Sequence, residues 1–414
     1  MIDPKLVEEN PSVLKNALKA RGFADLLKDA ESFIRLRKEW KELKSKLDSL
    51  RHERNVISEA INSALKAGKK QDAEKKKHDA RKISDAVKKA EDRTMEIEGA
   101  LKGLELEFPN ITVPDLPAKD KVVLGGKEKK REKWMKTYEE LAAKHKLIDF
   151  NAGIQMSGAG FYVLTGRGAE SERALVNFFL DLRKKQGYKE MAIPLLINEQ
   201  AMTNSGQLPK FRDAMFQTQD GFFLIPTSEV SLLNLYAGKT LREEDLPINV
   251  TAFSPCFRVE KGATRGYIRV RQFTKVEMFK FVREEDSFKE LEKMLKDATE
   301  TLKALEIPFR VKLLSASETG FASAKTYDIE AYAPGSNEWL EVSSCSNCTD
   351  FQARRARIKY IAKNGEKKFV HTLNGSGLAI PRTFIALLEN HQHKDGSVKI
   401  PKTLHSYISF KEIK

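Results

Sequence analysis

Two different patterns of apolar positions divide the chain. From Phe33 onward, apolar residues recur at spacings of three and four: Phe33, Leu36, Trp40, Leu43, Leu47, Leu50, Arg54, Ile57, Ile61 and Ala64, with Arg54 as a polar interruption. This is the a/d seam of a coiled-coil helix. A second seam runs through Ala73, Ala80, Ile83, Val87, Ala90, Thr94, Ile97, Leu101, Leu104 and Phe108, and Ala67-Gly68-Lys69-Lys70 supplies a turn between them. Two matching seams about a short turn predict an antiparallel helical hairpin over roughly residues 26–108. At 1.5 Å per residue, helices of about 40 residues make an arm of about 60 Å. Ahead of it, residues 1–25 carry two short helical patterns broken at Pro11 and Gly22.

The second pattern begins after a linker. Pro109, Pro114 and Pro117 cannot lie inside a helix, so the chain is divided into an N-terminal domain at 1–108, a linker at 109–120 and a second domain at 121–414. Strand patterns follow at Gly160–Leu164, Gly221–Ile225, Ile248–Ser254, Tyr267–Phe273 and Lys275–Phe281. Helical patterns lie at Glu170–Gln186, Glu285–Leu305 and Pro381–His391. Strands clustered between helices predict an α+β domain on a mostly antiparallel sheet flanked by helices.

Charge sharpens this picture. The 414 residues include 73 Lys and Arg against 59 Asp and Glu, a formal net charge of +14. Such a surplus points to a polyanionic partner. Between Lys28 and Leu104, 21 basic residues against 15 acidic ones leave +6, and eight of the basic ones (Lys66, Lys69, Lys70, Lys75, Lys76, Lys77, Arg81 and Lys82) cluster at the tip. A solvated coiled-coil surface and a phosphate-tracking tip both fit that charge. The N-terminus shows no apolar signal segment, no apolar run approaches the ~20 residues of a membrane span, and three cysteines make no disulfide framework. A cytoplasmic protein that does not enter membranes is expected.

Candidate chemistry falls in four stretches of the second domain. In Thr227-Ser228-Glu229 a hydroxyl and a carboxylate two apart share one side of an extended segment; a turn capping the next helix at Ser228 fits equally well. Phe257–Glu277 reads as strand, glycine-containing loop and returning strand, with Arg258, Arg265, Arg269 and Arg271 flanking the turn. Arg258 with Glu260, and Arg271 with Phe273, each project to one face. Guanidinium groups suit carboxylate or phosphate and an aromatic ring suits a base, although a charged hairpin closed by local ion pairs has the same composition. In Glu341-Val342-Ser343-Ser344, Glu341 and Ser343 share a strand face, or Glu341 and Ser344 converge across a bend; such hard oxygen donors suit Mg²⁺. In Asn374–Thr383 a Gly-Ser-Gly turn precedes Pro381-Arg382 at a helix start, an arrangement suited to an anion.

In this order the stretches resemble the class II aminoacyl-tRNA synthetases, and among them the seryl-tRNA synthetase family. Glu170–Asn198, with Tyr188–Pro194, resembles motif 1, Phe257–Glu277 motif 2 and Leu373–Glu389 motif 3. Thr227-Ser228-Glu229 is similar to the family's Thr-X-Glu element. Ser343–Cys348 with Asp350-Phe351-Gln352-Ala353-Arg354-Arg355 is close to its wording, and the hairpin matches its N-terminal arm. The resemblance implies ATP-dependent formation of seryl-adenylate with release of pyrophosphate, then transfer of serine to the 3′ end of tRNA(Ser), with tRNA(Sec) as a further candidate. It implies Arg258, Arg382 and Glu341 as catalytic residues. The nucleotide would be held by Arg258, Val259, Glu260, Val270, Arg271, Gln272, Phe273, Glu341, Val342, Ser343, Ser344 and Arg382. Serine would be held by Thr227, Ser228, Glu229, Arg258, Glu277 and Ser376, and Mg²⁺ by Glu341 and Ser344. It also implies a homodimer.

Three departures stand out: only Lys261-Gly262-Ala263 in the motif 2 loop, Arg271 where the family often has His, and Pro381 where bacterial relatives often have Gly. Cys345-X-X-Cys348 without a second pair nearby is a weak zinc signal, and no zinc is expected. A synthetase-like ligase acting on a carrier protein would lack the arm. A non-catalytic RNA-binding paralogue would be expected to lack Arg258, Glu341 or Arg382, all of which are present.

Overall fold

The computed structural model describes residues 1–126, 128–260 and 265–414. The loop residues Lys261, Gly262 and Ala263 lie outside them. The chain forms two units, Asp3–Phe108 and Met1–Ile2 with Pro109–Lys414.

In the first unit, short helices Pro4–Glu9 and Ser12–Ala20 precede α1 (Leu27–Lys66) and α2 (Lys70–Glu107), which pack along each other. Phe33, Leu47, Ala64, Ala73, Val87, Ala90, Ile97 and Leu101 are buried between them, so the three-and-four spacing is the seam. Gly68 turns the chain at φ +72°, a conformation that glycine adopts without a Cβ clash. The solvated flanks carry interhelical ion pairs, Arg93–Glu39 at 2.7 Å and Arg51–Glu91 at 2.8 Å. Exposed pairs of this kind contribute little each, under about 1 kcal/mol, so the thin apolar seam is the main source of the arm's cohesion.

The second unit is built on an eight-stranded sheet. Its strands are β1 (Lys121–Leu124), β2 (Lys189–Glu190), β3 (Ile248–Phe257), β4 (Gln272–Val282), β5 (Phe309–Leu313), β6 (Lys325–Ala333), β7 (Glu338–Asn347) and β8 (His371–Ala379). Their order is β1-β5-β6-β7-β8-β4-β3-β2, antiparallel throughout except for the β2–β3 pair. One face is covered by α3 (Arg167–Lys185), α5 (Ser287–Ala304) and α7 (Ile380–Asn390). Leu175, Phe179, Met294, Leu302 and Phe384 meet Val276 and Met278 of β4 there. The other face is only partly covered, by α4 (Ser228–Asn234) and α6 (Phe351–Ala356), whose Leu232, Leu233 and Ala353 meet Phe279 and Phe281. Because side chains alternate along β4, the positions before Phe279 on that face, Phe273, Lys275 and Glu277, are left for something other than core. Among the described residues no helix is long and apolar enough to cross a membrane.

Two expectations are corrected here. The strand expected from Tyr267 starts at Gln272; residues 265–271 form a turn closed by an Arg265–Arg269 bridge. Tyr267 is fully buried, and its amide donates to the Tyr138 hydroxyl at 3.0 Å. Its apolar character serves an anchor, not a strand. Gly375-Ser376-Gly377 is no turn either. It lies within β8, where the pairing with β4 slips between Ser376 and Leu378. A Cβ on Gly375 would come within 3.0 Å of the Met294 and Cys345 sulfurs, so this glycine serves close packing of α5 against the sheet.

Candidate active site

The half-covered face of the sheet holds a cavity of about 240 Å³. It is lined by polar residues of β4, β7 and β8, the segment after β3, and the N-terminal ends of α4 and α7. Each contribution follows from local structure. Thr227 caps α4, its hydroxyl accepting from the Glu229 amide at 3.2 Å. The extended arrangement expected for Thr227 and Glu229 is therefore replaced by a helix start, and the cap is Thr227 rather than Ser228. Ser228 itself is fully buried, shares a 2.7 Å hydrogen bond with Ser254, and does not line the cavity.

The floor is a charged cluster. The Lys275 ammonium donates to the Thr227 hydroxyl at 3.0 Å, that hydroxyl donates to Glu277 at 2.9 Å, and Lys275 and Glu277 form an ion pair. Lys275 and Glu277 are 7% and 1% exposed, so this is a desolvated pair whose burial cost offsets much of its attraction. Its presence on a sheet face is a sign of function. Beside it, Glu229 accepts from Asn374 at 3.2 Å. Burial, and then the neighbouring Glu277 carboxylate, push the Glu229 carboxyl up to about 7. The Glu229 and Glu277 carboxylates converge here, with the Lys275 ammonium and the Arg258 guanidinium as the cations that face them. Ser376 faces Glu277 across the β8–β4 pair.

One wall is cationic and aromatic. Arg258, just past β3, holds its guanidinium 5.0 Å from the centre of the Phe273 ring and donates to the Pro226 carbonyl at 3.4 Å. Glu260 pairs with Arg269 at 2.6 Å. Arg382, in the first turn of α7, donates to the Ile268 carbonyl at 3.1 Å and the Glu341 carbonyl at 2.8 Å, bracing the 265–271 turn against β7. Val270 and Val342 add apolar lining. Three arginines beside an aromatic ring and apolar side chains have the chemistry to hold a base with its phosphates.

The opposite edge is set by a β-bulge. Ser343 pairs with Ile329 but Glu341 pairs with Glu330, so Val342 is an extra residue. The slip brings Glu341 and Ser344 to one side, the second of the two arrangements expected. It also leaves Ser343 buried, donating to the Ser376 carbonyl at 2.7 Å. Asp328, opposite Ser344, joins them; burial and then the Glu341 carboxylate push its carboxyl up. Two acids and a hydroxyl are a hard-oxygen donor set that fits Mg²⁺.

The remaining expected residues lie elsewhere. The Val259 amide donates to the Ala214 carbonyl, the Arg271 backbone pairs with Arg258 and Gly160, and Gln272 pairs with Phe257; none of the three lines the cavity. Conversely, Lys275, Asp328 and Asn374 went unassigned in the sequence. The alternation Phe273, Lys275, Glu277 was legible as one strand face and pointed to Lys275. Asp328 needed the β6–β7 pairing, which no local signal supplies. The cysteines Cys256, Cys345 and Cys348 are buried, and burial pushes the Cys345 thiol up to about 12.

Comparison with known proteins agrees with this geometry. Residues 1–112 match the model of the seryl-tRNA synthetase N-terminal domain, and residues 213–391 that of the tRNA synthetase class II core domain (G, H, P, S and T). The chain is 42% identical to the serine–tRNA ligase of Methanosarcina barkeri over 418 residues, 99% of this chain and 97% of that protein. It is also 42% identical to that of Carboxydothermus hydrogenoformans over 426 residues, 100% and 99% of the two chains. Among solved structures it superposes on seryl-tRNA synthetase from Pyrococcus horikoshii complexed with ATP with a TM-score of 0.94, at 33% identity over 100% and 99% of the chains. It superposes on the cytoplasmic serine–tRNA ligase of Naegleria fowleri in complex with AMP with a TM-score of 0.87, at 27% identity over 98% and 96% of the chains. With a half-covered antiparallel sheet, one cavity that joins arginines and an aromatic ring to a polar floor, and full-length relatives of one kind, the chain belongs to the seryl-tRNA synthetases, the serine–tRNA ligases of class II.

Proposed function

We propose that the cavity activates serine with ATP and that the helical arm delivers tRNA(Ser) to it. The observation that carries this is the meeting, in one cavity, of the Thr227–Glu229–Lys275–Glu277–Ser376 floor with Arg258, Arg269 and Arg382. Serine's ammonium lies between the Glu229 and Glu277 carboxylates, and its hydroxyl bonds among Thr227, Glu277 and Ser376. Arg258 holds both the serine carboxylate and the ATP α-phosphate, which lowers their repulsion as the carboxylate oxygen attacks phosphorus and pyrophosphate leaves. Adenine lies on Phe273 with Glu260 at its edge, and Arg382 takes the γ-phosphate. Glu341 and Ser344, with Asp328 behind them, would hold Mg²⁺, which would neutralise phosphate charge. No side chain forms a covalent bond; rate comes from orientation and from charges fixed before the reaction. Alanine is rejected because it leaves buried hydrogen-bonding groups unpaired.

The arm's +6 charge and clustered tip lysines support tRNA binding through phosphates, with tRNA(Sec) as a second candidate. Beside α3, a groove of about 620 Å³ lined by Met156, Val176, Leu180 and the half-exposed Phe253 supports a homodimer. Three buried cysteines in 414 residues make no disulfide framework, which fits a reducing cytoplasm. The test is ATP–pyrophosphate exchange with each small amino acid. Exchange with serine and not with alanine is expected; exchange independent of serine would overturn the proposal.

A further inference from the structure

The segment Asp350–Arg355 carries family wording, yet none of its side chains lines the cavity. Within it, Gln352 of α6 is fully buried, and both its amide nitrogen and its amide oxygen are hydrogen-bonded. Its nitrogen donates to Glu229 Oε1 at 2.6 Å and to the Ser205 carbonyl at 3.1 Å, and its oxygen accepts from the Thr372 hydroxyl at 2.7 Å. The orientation is forced. The Ser205 carbonyl can only accept, so the amide nitrogen must face it and Glu229. The Thr372 hydroxyl then donates to the amide oxygen and locks the end that remains. Two residues further along β8, Asn374 donates to the same Glu229 oxygen at 3.2 Å. One carboxylate oxygen is thus held by two amides, which leaves Oε2 for a ligand.

We propose that Gln352 is a positioning residue for serine recognition: aimed by Thr372, it holds one oxygen of the Glu229 carboxyl group and turns the other toward the amino acid. This rests on the reading of Glu229 as a serine ligand. The charged groups that face Glu229 are Glu277 and Lys275 from β4 and Arg258 from the end of β3; α6 and β8 contribute the neutral donors. Against burial and Glu277, which favour the protonated acid, the Gln352 hydrogen bond is the largest influence favouring the carboxylate. Without it the carboxyl titrates at still higher pH, and less of it is charged at neutral pH to meet the ammonium.

The test measures serine and ATP KM in pyrophosphate exchange between pH 6 and 9 for the full-length Gln352→Met, Gln352→Glu and Glu229→Gln variants, with folding checked by circular dichroism. Gln352→Met is expected to raise the serine KM about tenfold at pH 7, the scale of one hydrogen bond to a charged group, and to leave the ATP KM unchanged. The acid limb of kcat/KM for serine should move to higher pH, so alkaline buffer recovers much of the loss. Gln352→Glu, of the same size, should move that limb further. Should the Met variant fail to fold, the Glu variant alone decides. An unmoved limb, or equal losses in serine and ATP KM, overturns the positioning role. A parent-like serine KM in Glu229→Gln overturns instead the assignment of Glu229.

Discussion

Arg258 stands between the two halves of the cavity, its guanidinium near Phe273 on one side and Pro226 and the Thr227 floor on the other. Its replacement by Ala should lower serine-dependent pyrophosphate exchange by about 10²–10³-fold with the fold retained, since one fixed charge at the reacting centre is worth that much. Near-parent turnover in a folded variant would show that the reacting centre lies elsewhere. Glu229 carries a second prediction. Its carboxyl titrates near 7 in the folded chain against an ordinary 4.5, so folding binds a proton. The stability linked to it is fully present below pH about 4.5 and is lost as pH rises through 7. Glu229→Gln should therefore stabilise the fold by about 1–3 kcal/mol at pH 8 and hardly at all at pH 4.5, read by thermal melts at both, while serine activation falls. Which residues reach the cavity was legible where a strand face or a motif carries them, as for Arg258, Glu277 and Arg382. They were not where a side chain turns away for packing reasons, as Ser228 does toward Ser254.

At the scale of elements, the helical hairpin was the most legible part. A seam repeated over nine or ten positions averages out local exceptions such as Arg54. Short elements of the second unit were less so. Tyr267 looked like strand because anchors and strands use the same residues, and Gly375-Ser376-Gly377 looked like a turn because glycine serves both turns and close packing. The bulge at Val342 depends on the partner strand and has no signature in its own sequence. For the arm, replacing Ala30–Leu104 by a short linker should spare pyrophosphate exchange, because every cavity residue lies beyond the linker, and should cripple tRNA charging. Charging at the parent rate would remove the arm from the account. Lys75 and Lys76 have no ion-pair partner among the described residues, whereas Lys77 is held by Glu74 at 2.6 Å. Neutralising all three should flatten the salt dependence of tRNA binding by up to about 0.9 log unit per lost phosphate contact, with Lys75 and Lys76 carrying most of it. A slope equal to the parent's would move the contact to other lysines.

At the scale of the whole molecule, two chemistries are kept on separate units of one chain: a charged, thin helical arm and a sheet whose half-open face holds the polar cavity. The groove beside α3, with Phe253 48% exposed, predicts a dimer mass by light scattering at micromolar concentration; a fully active monomer would contradict it. The central claim, that serine activated in the cavity is esterified to tRNA gripped by the arm, is tested most directly by charging purified tRNA(Ser) with labelled serine and ATP. The account predicts one serine per tRNA, attached at the 3′ end, lost in Arg258→Ala at the activation step and in the armless chain only at the transfer step. Serine-dependent exchange without any label on tRNA, or transfer to tRNA undiminished by loss of the arm, would contradict it.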